Sequence, residues 1–249
     1  MTMGSFLDVA RRGRVAALVG GCFLGCCLLG CNGLTGAEAL DLDDEAASDG
    51  TGAALGDAPQ TPGPDLLSCA YPVASAYGPA EGQTIGSHVR YEESLPAFET
   101  EPRPFNLSEL YDCDGSKGIH GILVLPSKFF CGPCAQEASG REAEKLHWDV
   151  QGLGIEVVEL LLNDPQSDNS APTIQGVTAW RDQFQLHSVT VAADTGFSMV
   201  VGGSVGTPQM TVVDPRTMQV VLRQEGWGGP SQYQTLIDLA TQNKLAAER

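Results

Sequence analysis

Apolar runs broken by polar, glycine- and proline-bearing stretches divide the second half of the chain into alternating strand and helix candidates. Residues 118–126 carry Ile119, Ile122, Leu123, Val124 and Leu125 in a run the length of a buried strand. Residues 133–151 are helix-compatible, and residues 155–162 form a second apolar strand ended by Asn163, Asp164 and Pro165. Residues 173–185 place Trp180 and Phe184 four apart, on one face of a helix. Residues 189–192 give a short apolar segment. Residues 210–213 and 220–223, separated by a turn at Asp214, Pro215, Arg216 and Thr217, predict a hairpin. Ser231 is placed to cap a last helix carrying Leu236, Ile237, Leu239 and Ala240. The order β-α-β-α-β-β-α predicts an α/β fold, a mixed central sheet flanked by helices on both faces.

The first hundred residues follow other rules. Arg11, Arg12 and Arg14 precede an apolar run over residues 15–29, shorter than the roughly 20 residues that span a bilayer. A basic start, an apolar centre and a small residue before the cut predict a secretory signal over residues 1–30. Its ending, Leu28, Leu29, Gly30 and Cys31, resembles the lipobox of bacterial lipoproteins, which implies lipidation of Cys31. Cys22 and Cys26 sit in rival positions, and an ordinary secreted protein with a cysteine-rich apolar region is the alternative. Residues 31–65 are rich in Gly, Ala, Asp, Thr and Pro and predict a self-repelling acidic tether. Tyr, Phe and Pro return over residues 66–104, which read as an ordered extension packed on the main domain, mostly loop with short strands. The main domain is residues 105–249.

Charge narrows the partners. The chain has 31 Asp and Glu against 14 Lys and Arg, a net charge of −17, and Lys117, Lys128, Lys145 and Lys244 are its only lysines. Phosphate recognition needs clustered Lys and Arg, so the chain is a poor candidate for nucleic acid or anionic membrane surfaces. At 42 % hydrophobic residues the chain can still build a core, which excludes wholesale disorder.

The chemistry lies at one turn. Cys131, Gly132, Pro133 and Cys134 follow the first buried strand and open the first helix. Free N–H groups at a helix start favour a thiolate, which makes Cys131 the attacking sulfur and Cys134 the resolving one. Pro133 fits because the first helical turn has no N–H partner to lose. Such a dithiol needs no cofactor. Two other readings stay open. A zinc site would need two more ligands, and Cys69, Cys113, His88, His120, His147 and His187 offer no pair at ligand spacing. A purely structural disulfide is the other.

The motif, with Phe129 and Phe130 before it, resembles the active site of the thioredoxin superfamily. More narrowly it is similar to the TlpA/ResA-like membrane-anchored thiol–disulfide oxidoreductases, grouped with AhpC/TSA/redoxin domains. The likeness runs over about residues 105–245, from the lead-in Phe105, Asn106, Leu107, Ser108, Glu109 and Leu110 through Gly206, Thr207 and Pro208. It implies a thioredoxin-like fold and a protein-disulfide oxidoreductase with Cys131 and Cys134 as reacting groups. It also implies a cis-proline at Pro208, substrate docking by Thr207, Pro208, Gly132 and Pro133, and proton transfer assisted by Glu137. A solvent-facing Glu137 favoured by the helix dipole is the alternative. The implied partners are client proteins with thiols or disulfides and an upstream membrane or envelope dithiol donor. The implied place is the bacterial cell envelope, lipid-anchored and facing the periplasm or exterior. Asn32 after Cys31 favours the outer over the inner membrane.

The chain departs from the family pattern at particular residues. Phe130 replaces the usual Trp, and Leu125 falls where many thioredoxins bury an acid. Val124 and Lys128 occupy the places where a peroxiredoxin needs its Pro and its Thr or Ser, which argues against peroxide reduction. A thioredoxin-fold lipoprotein acting as a non-catalytic binding module is the alternative function.

With the signal over residues 1–30 removed and Cys31, Cys131 and Cys134 given roles, Cys69 and Cys113 remain, and an oxidising compartment would pair them; two free thiols are the alternative. His120 and His147 read as surface or strand-end residues, Trp180 and Phe184 as core. Trp227, among Gly226, Gly228 and Gly229, reads as a loop aromatic that covers either a site or the core.

Overall fold

The computed structural model describes residues 69–202 and 206–249. The signal over residues 1–30, lipidation at Cys31 and the tether over residues 31–65 therefore lie outside the described residues. Three short strands come first: β1 (Arg90–Tyr91), β2 (Ser94–Leu95) and β3 (Phe105–Asn106), followed by a 3-10 turn at Leu107–Leu110. Then come β4 (Gly121–Ser127), α1 (Gly132–Val150), β5 (Ile155–Leu161), α2 (Ile174–Phe184) and β6 (Thr190–Ala193). The hairpin β7 (Gln209–Asp214) and β8 (Gln219–Glu225), a 3-10 turn at Pro230–Tyr233 and α3 (Gln234–Ala247) complete the chain.

The main sheet has the order β2-β6-β5-β4-β7-β8. β4, β5 and β6 are parallel, and β2, β7 and β8 each run antiparallel to their neighbours. The fold is α/β and thioredoxin-like. Every residue of β4 is buried because both faces of the sheet are covered. Its side chains alternate: Leu123 and Leu125 join a core with Trp148 of α1, Trp180 of α2 and Leu236 of α3. Ile122 and Val124 join a second core on the opposite face.

The helices do not divide as the sequence predicts. The crossovers β4-α1-β5 and β5-α2-β6 step the same way along the sheet, and their common right hand puts α1 and α2 on one face. α3 shares that face. On the other face helical cover is limited to the 3-10 turn, through Leu107, and the rest is Ile85, Tyr91, Phe105 and Met199. Helices on both faces is thus corrected to three α-helices on one face and the N-terminal extension on the other.

The extension also closes both edges of the sheet. β2 pairs with β6 (Ser94 with Ala192, Leu95 with Val191). At the far edge Gly82 N–H donates to the Val220 carbonyl at 2.9 Å, and Ile85 N–H donates to the Met218 carbonyl at 2.8 Å. Open edges invite pairing with other chains, and here both are occupied by the same segment. Arg181 of α2 anchors the segment by donating to the Glu99 carbonyl at 2.7 Å. Cys69 and Cys113 form a disulfide with their Cα atoms 5.7 Å apart, beside the Tyr71 and Tyr111 rings.

Caps explain most helix ends. Thr173 accepts from Gly176 N–H at the start of α2, and Gln185 ends it in the left-handed region at φ 57°. The expected cap at Ser231 is corrected. Gly229 and Pro230 first turn the chain into a 3-10 turn, Ser231 lies inside it, and α3 starts at Gln234 without a side-chain cap.

Candidate active site

β4 ends at Ser127 and the chain turns into α1 through Lys128, Phe129 and Phe130. Two hydrogen bonds hold this turn: Cys131 N–H to the Lys128 carbonyl at 3.3 Å, and Phe129 N–H to Asn163 Oδ1 beyond β5 at 2.9 Å. Cys131 is the N-cap residue of α1, Pro133 lies in its first turn, and the Cys131 sulfur accepts from Cys134 N–H at 3.1 Å. Cys131 and Cys134 form a disulfide with Cα atoms 5.2 Å apart. Cys131 is half-buried and Cys134 fully buried, with Gly132 and Pro133 exposed between them. A nucleophile approaching from solvent therefore meets Cys131 first.

The opposite wall comes from the start of β7. The Thr207 carbonyl lies 3.4 Å from Cys131 Sγ, the Thr207–Pro208 peptide is cis, and the Pro208 carbonyl accepts from Gly226 N–H at 2.8 Å. Sequence positions 76 residues apart thus meet across the disulfide. The Phe130 ring is 60 % exposed beside them.

Beneath the disulfide lies a buried polar cluster. Glu137, one turn beyond Cys134, is 3 % exposed rather than solvent-facing. It accepts from Arg141 at 2.6 Å, and Tyr233 Oη donates to it at 3.4 Å. The Arg141 guanidinium sits 4.9 Å from the centre of the Tyr233 ring. Burial pushes the Glu137 carboxyl above its usual range, and Arg141 pulls it partly back.

One member of this cluster escaped the sequence reading. Leu125 is apolar and fully buried, and its register partner on β5 is Glu159, which is 1 % exposed. An acid absent from β4 is present on the adjacent strand. Burial, the nearby Glu137 charge and incomplete compensation by Arg141 push the Glu159 carboxyl up to about 7. The available signal was a second acid in the strand Ile155–Leu161, set among Val157, Val158, Leu160 and Leu161 where Glu156 stands at its half-buried start. Arg141, fully buried inside α1, and Tyr233 were also passed over.

The other candidates sit apart from this constellation or pack around it. Trp180 is core, edge-on to Phe129 with ring centres 5.1 Å apart, and Phe184 packs on it at 4.7 Å. Trp227 leans on Tyr233, with ring centres 5.4 Å apart, and packs against the core. His147 is exposed near the end of α1, and His120 stands at a strand end, immediately before β4, 9 % exposed with Asn243 of α3 donating to its backbone carbonyl at 2.9 Å. Cys69, Cys113 and Asp114 are the sole grouping of three potential metal-ligating side chains among the described residues, and both sulfurs are in the disulfide. No helix among the described residues is long and apolar enough to cross a membrane.

No family model and no curated protein matches the sequence. Solved structures do match. A thiol:disulfide interchange protein of the thioredoxin family from Chlorobium tepidum TLS shares 16 % identity, covering 60 % of this chain and 94 % of its own, at a TM-score of 0.42. The thioredoxin domain of a thiol-disulfide oxidoreductase from Bacteroides vulgatus shares 13 % identity over 65 % and 98 %, at 0.42. A reduced 2-Cys peroxiredoxin from Plasmodium vivax shares 12 % identity over 68 % and 99 %, at 0.48.

Proposed function

We propose that this protein is an extracytoplasmic thiol–disulfide oxidoreductase that exchanges disulfides with client proteins through Cys131 and Cys134. The observation that carries the reading is the position of Cys131 Sγ, at the head of α1 and 3.4 Å from the Thr207 carbonyl. The helix start stabilises a thiolate there, through the Cys134 N–H and the dipole. The Thr207 backbone, beside Cys131 Sγ, suits an extended client segment, with Gly132, Pro133 and Pro208 as its apolar floor. A depression of about 360 Å³ lined by Lys128, Asp168, Ser170 and Phe197 offers room for flanking client residues.

In the reducing direction the Cys131 thiolate attacks one sulfur of a client disulfide. A Cys131–client disulfide forms and the second client sulfur leaves as thiolate. Cys134 then loses its proton and attacks Cys131 Sγ, which closes the ring and releases the client thiolate. Cys134 is buried, so its thiolate reaches Cys131 alone. Glu137 supplies the acid–base group for Cys134. The reverse sequence oxidises a client dithiol, and the potential of the couple selects the direction.

Residues 1–30 act as a signal, Cys31 as the lipid anchor and residues 31–65 as the tether that lets the domain reach clients in the envelope. An upstream dithiol donor there recharges the couple. The Cys69–Cys113 bridge is structural. The test is insulin reduction by the purified protein: Cys131→Ser abolishes it, and Cys134→Ser accumulates mixed disulfides with clients. Full exchange by both variants overturns the reading in favour of a binding module. Labelled fatty acid on wild type and none on Cys31→Ala supports the anchor; label on Cys31→Ala removes it.

A further inference from the structure

We propose that Glu159 is a positioning residue of the dithiol: with Glu137 it forms one buried proton-holding pair, and Cys134 exchanges its proton with that pair rather than with Glu137 alone. This rests on the oxidoreductase reading and deepens it.

The geometry puts two carboxyls and one guanidinium in a closed space. Glu137 and Arg141 face it from α1, Tyr233 from the turn before α3, Trp180 from α2, and Ser127 from the end of β4. Arg141 Nη2 is bonded to Glu137 Oε1, leaving Glu137 Oε2 and both Glu159 oxygens without a hydrogen-bond partner among the described residues. Ser127 and Trp180 border Glu159 and lower its pKa somewhat, yet neither closes a bond to it. One cation compensates one carboxylate. With both acids ionised the cluster holds an uncompensated buried charge; with one proton on the pair it is neutral. The pair therefore takes up a proton near neutral pH, where a group that must both accept and return one is most effective. Glu137 alone, bonded to Arg141, is held closer to its ionised form.

Cys134 Sγ–H gives its proton to the ionised pair, becoming a thiolate while one carboxyl becomes neutral. The thiolate's electron pair forms the bond to Cys131 Sγ, and the Cys131–client sulfur bond breaks with its electrons on the departing client thiolate. The pair later releases its proton to solvent. In the reverse direction a client thiolate attacks Cys131 Sγ, the Cys131–Cys134 bond breaks with its electrons on Cys134, and the protonated pair gives Cys134 its proton as the Cys131–client disulfide forms.

The experiment follows the reduction potential of the Cys131/Cys134 couple and the rate of mixed-disulfide resolution from pH 5 to 9, in full-length wild type, Glu159→Gln and Glu159→Asp. Wild type is expected to show a break in potential against pH near 7, beyond that of the Cys131 thiol. Glu159→Gln should lose the break and resolve mixed disulfides about tenfold more slowly at pH 7, a fraction of the hundredfold or more that general bases contribute. Glu159→Asp should restore the break at a shifted pH. Identical profiles in wild type and Glu159→Gln overturn the inference. Should Glu159→Gln not fold, Glu159→Asp decides alone: a moved break supports the pair and an unmoved one overturns it. A wild type that exchanges no client disulfides refutes the proposed function, and the potential, measurable with glutathione, still decides on Glu159.

Discussion

The two disulfides of this chain are opposites in nearly every physical respect. Cys131 and Cys134 close a ring three residues apart at a helix start, facing the Thr207 carbonyl and lying over buried acids. Cys69 and Cys113 close a loop 44 residues apart, on the outside of the extension, with Arg216 Nε donating to the Cys113 carbonyl at 3.4 Å. A three-residue ring removes little freedom from the unfolded chain, whereas a long loop removes much. The surroundings then separate them further. A sulfur that accepts from a helix N–H is a good thiolate, and a sulfur in a loop has no such support. Sequence separation and the local field, rather than the cysteines themselves, divide chemistry from restraint.

Replacing cysteines one pair at a time should break the comparison if it is wrong. The largest effect is expected at the short ring: Cys131→Ser takes disulfide exchange to background, measured as insulin turbidity, while the double variant Cys69→Ser, Cys113→Ser keeps the wild-type rate. Loss of turnover in the double variant would make the long bridge part of the chemistry.

Stability should divide the other way. The chain-entropy relation gives the 44-residue loop about 4 kcal/mol, an upper figure because it neglects native strain. Urea unfolding of the double variant should show a midpoint lowered accordingly with exchange intact. An unchanged midpoint would mean that the packing of Tyr71 on Tyr111, and of the extension on both sheet edges, holds the segment without the bridge.

The buried acids beneath the short ring make stability depend on pH. Glu159 has its folded pKa raised from 4.5 to about 7. Between those values the folded protein binds more protons than the unfolded chain, so this group's contribution falls as pH rises through the window. The change amounts to at most about 3 kcal/mol. Wild type should therefore lose urea stability between pH 5 and pH 7 more steeply than Glu159→Gln. Parallel curves would place the carboxyl's titration elsewhere.

The same contrast explains what was legible. Local signals were read well: β4 and β5 as apolar runs, the turn at Asp214, and Cys131 with Pro133 marking the start of α1. Features that exist only through partners were not. β2 is two residues long and is a strand only because Ser94 and Leu95 meet Ala192 and Val191. The helices' common face depends on the order in which strands join, which periodicity does not carry. Glu159 in its apolar run and Arg141 in its polar helix look like ordinary members of their elements. They become a cluster when β5 and α1 are laid together under Cys134. Ser231 resembled a cap because Ser commonly is one, and Gly229 and Pro230 redirected the chain before it could serve.

The smallest expected effect separates structure from chemistry within a single atom. Cys131 Sγ is both the proposed nucleophile and the N-cap acceptor of α1, whereas no helix begins at Cys113. Serine is a good cap and alanine a poor one, the difference being typically about 1 kcal/mol. Neither variant can close the ring, so they differ from each other in the cap alone. Cys131→Ser and Cys131→Ala should thus be equally inactive, yet Cys131→Ala should unfold at lower urea by about that amount. Cys113→Ser and Cys113→Ala should unfold together. Equal midpoints for the two Cys131 variants would show that the helix start is held by Pro133 and by the bond from Cys131 N–H to the Lys128 carbonyl, leaving the sulfur free of any structural duty.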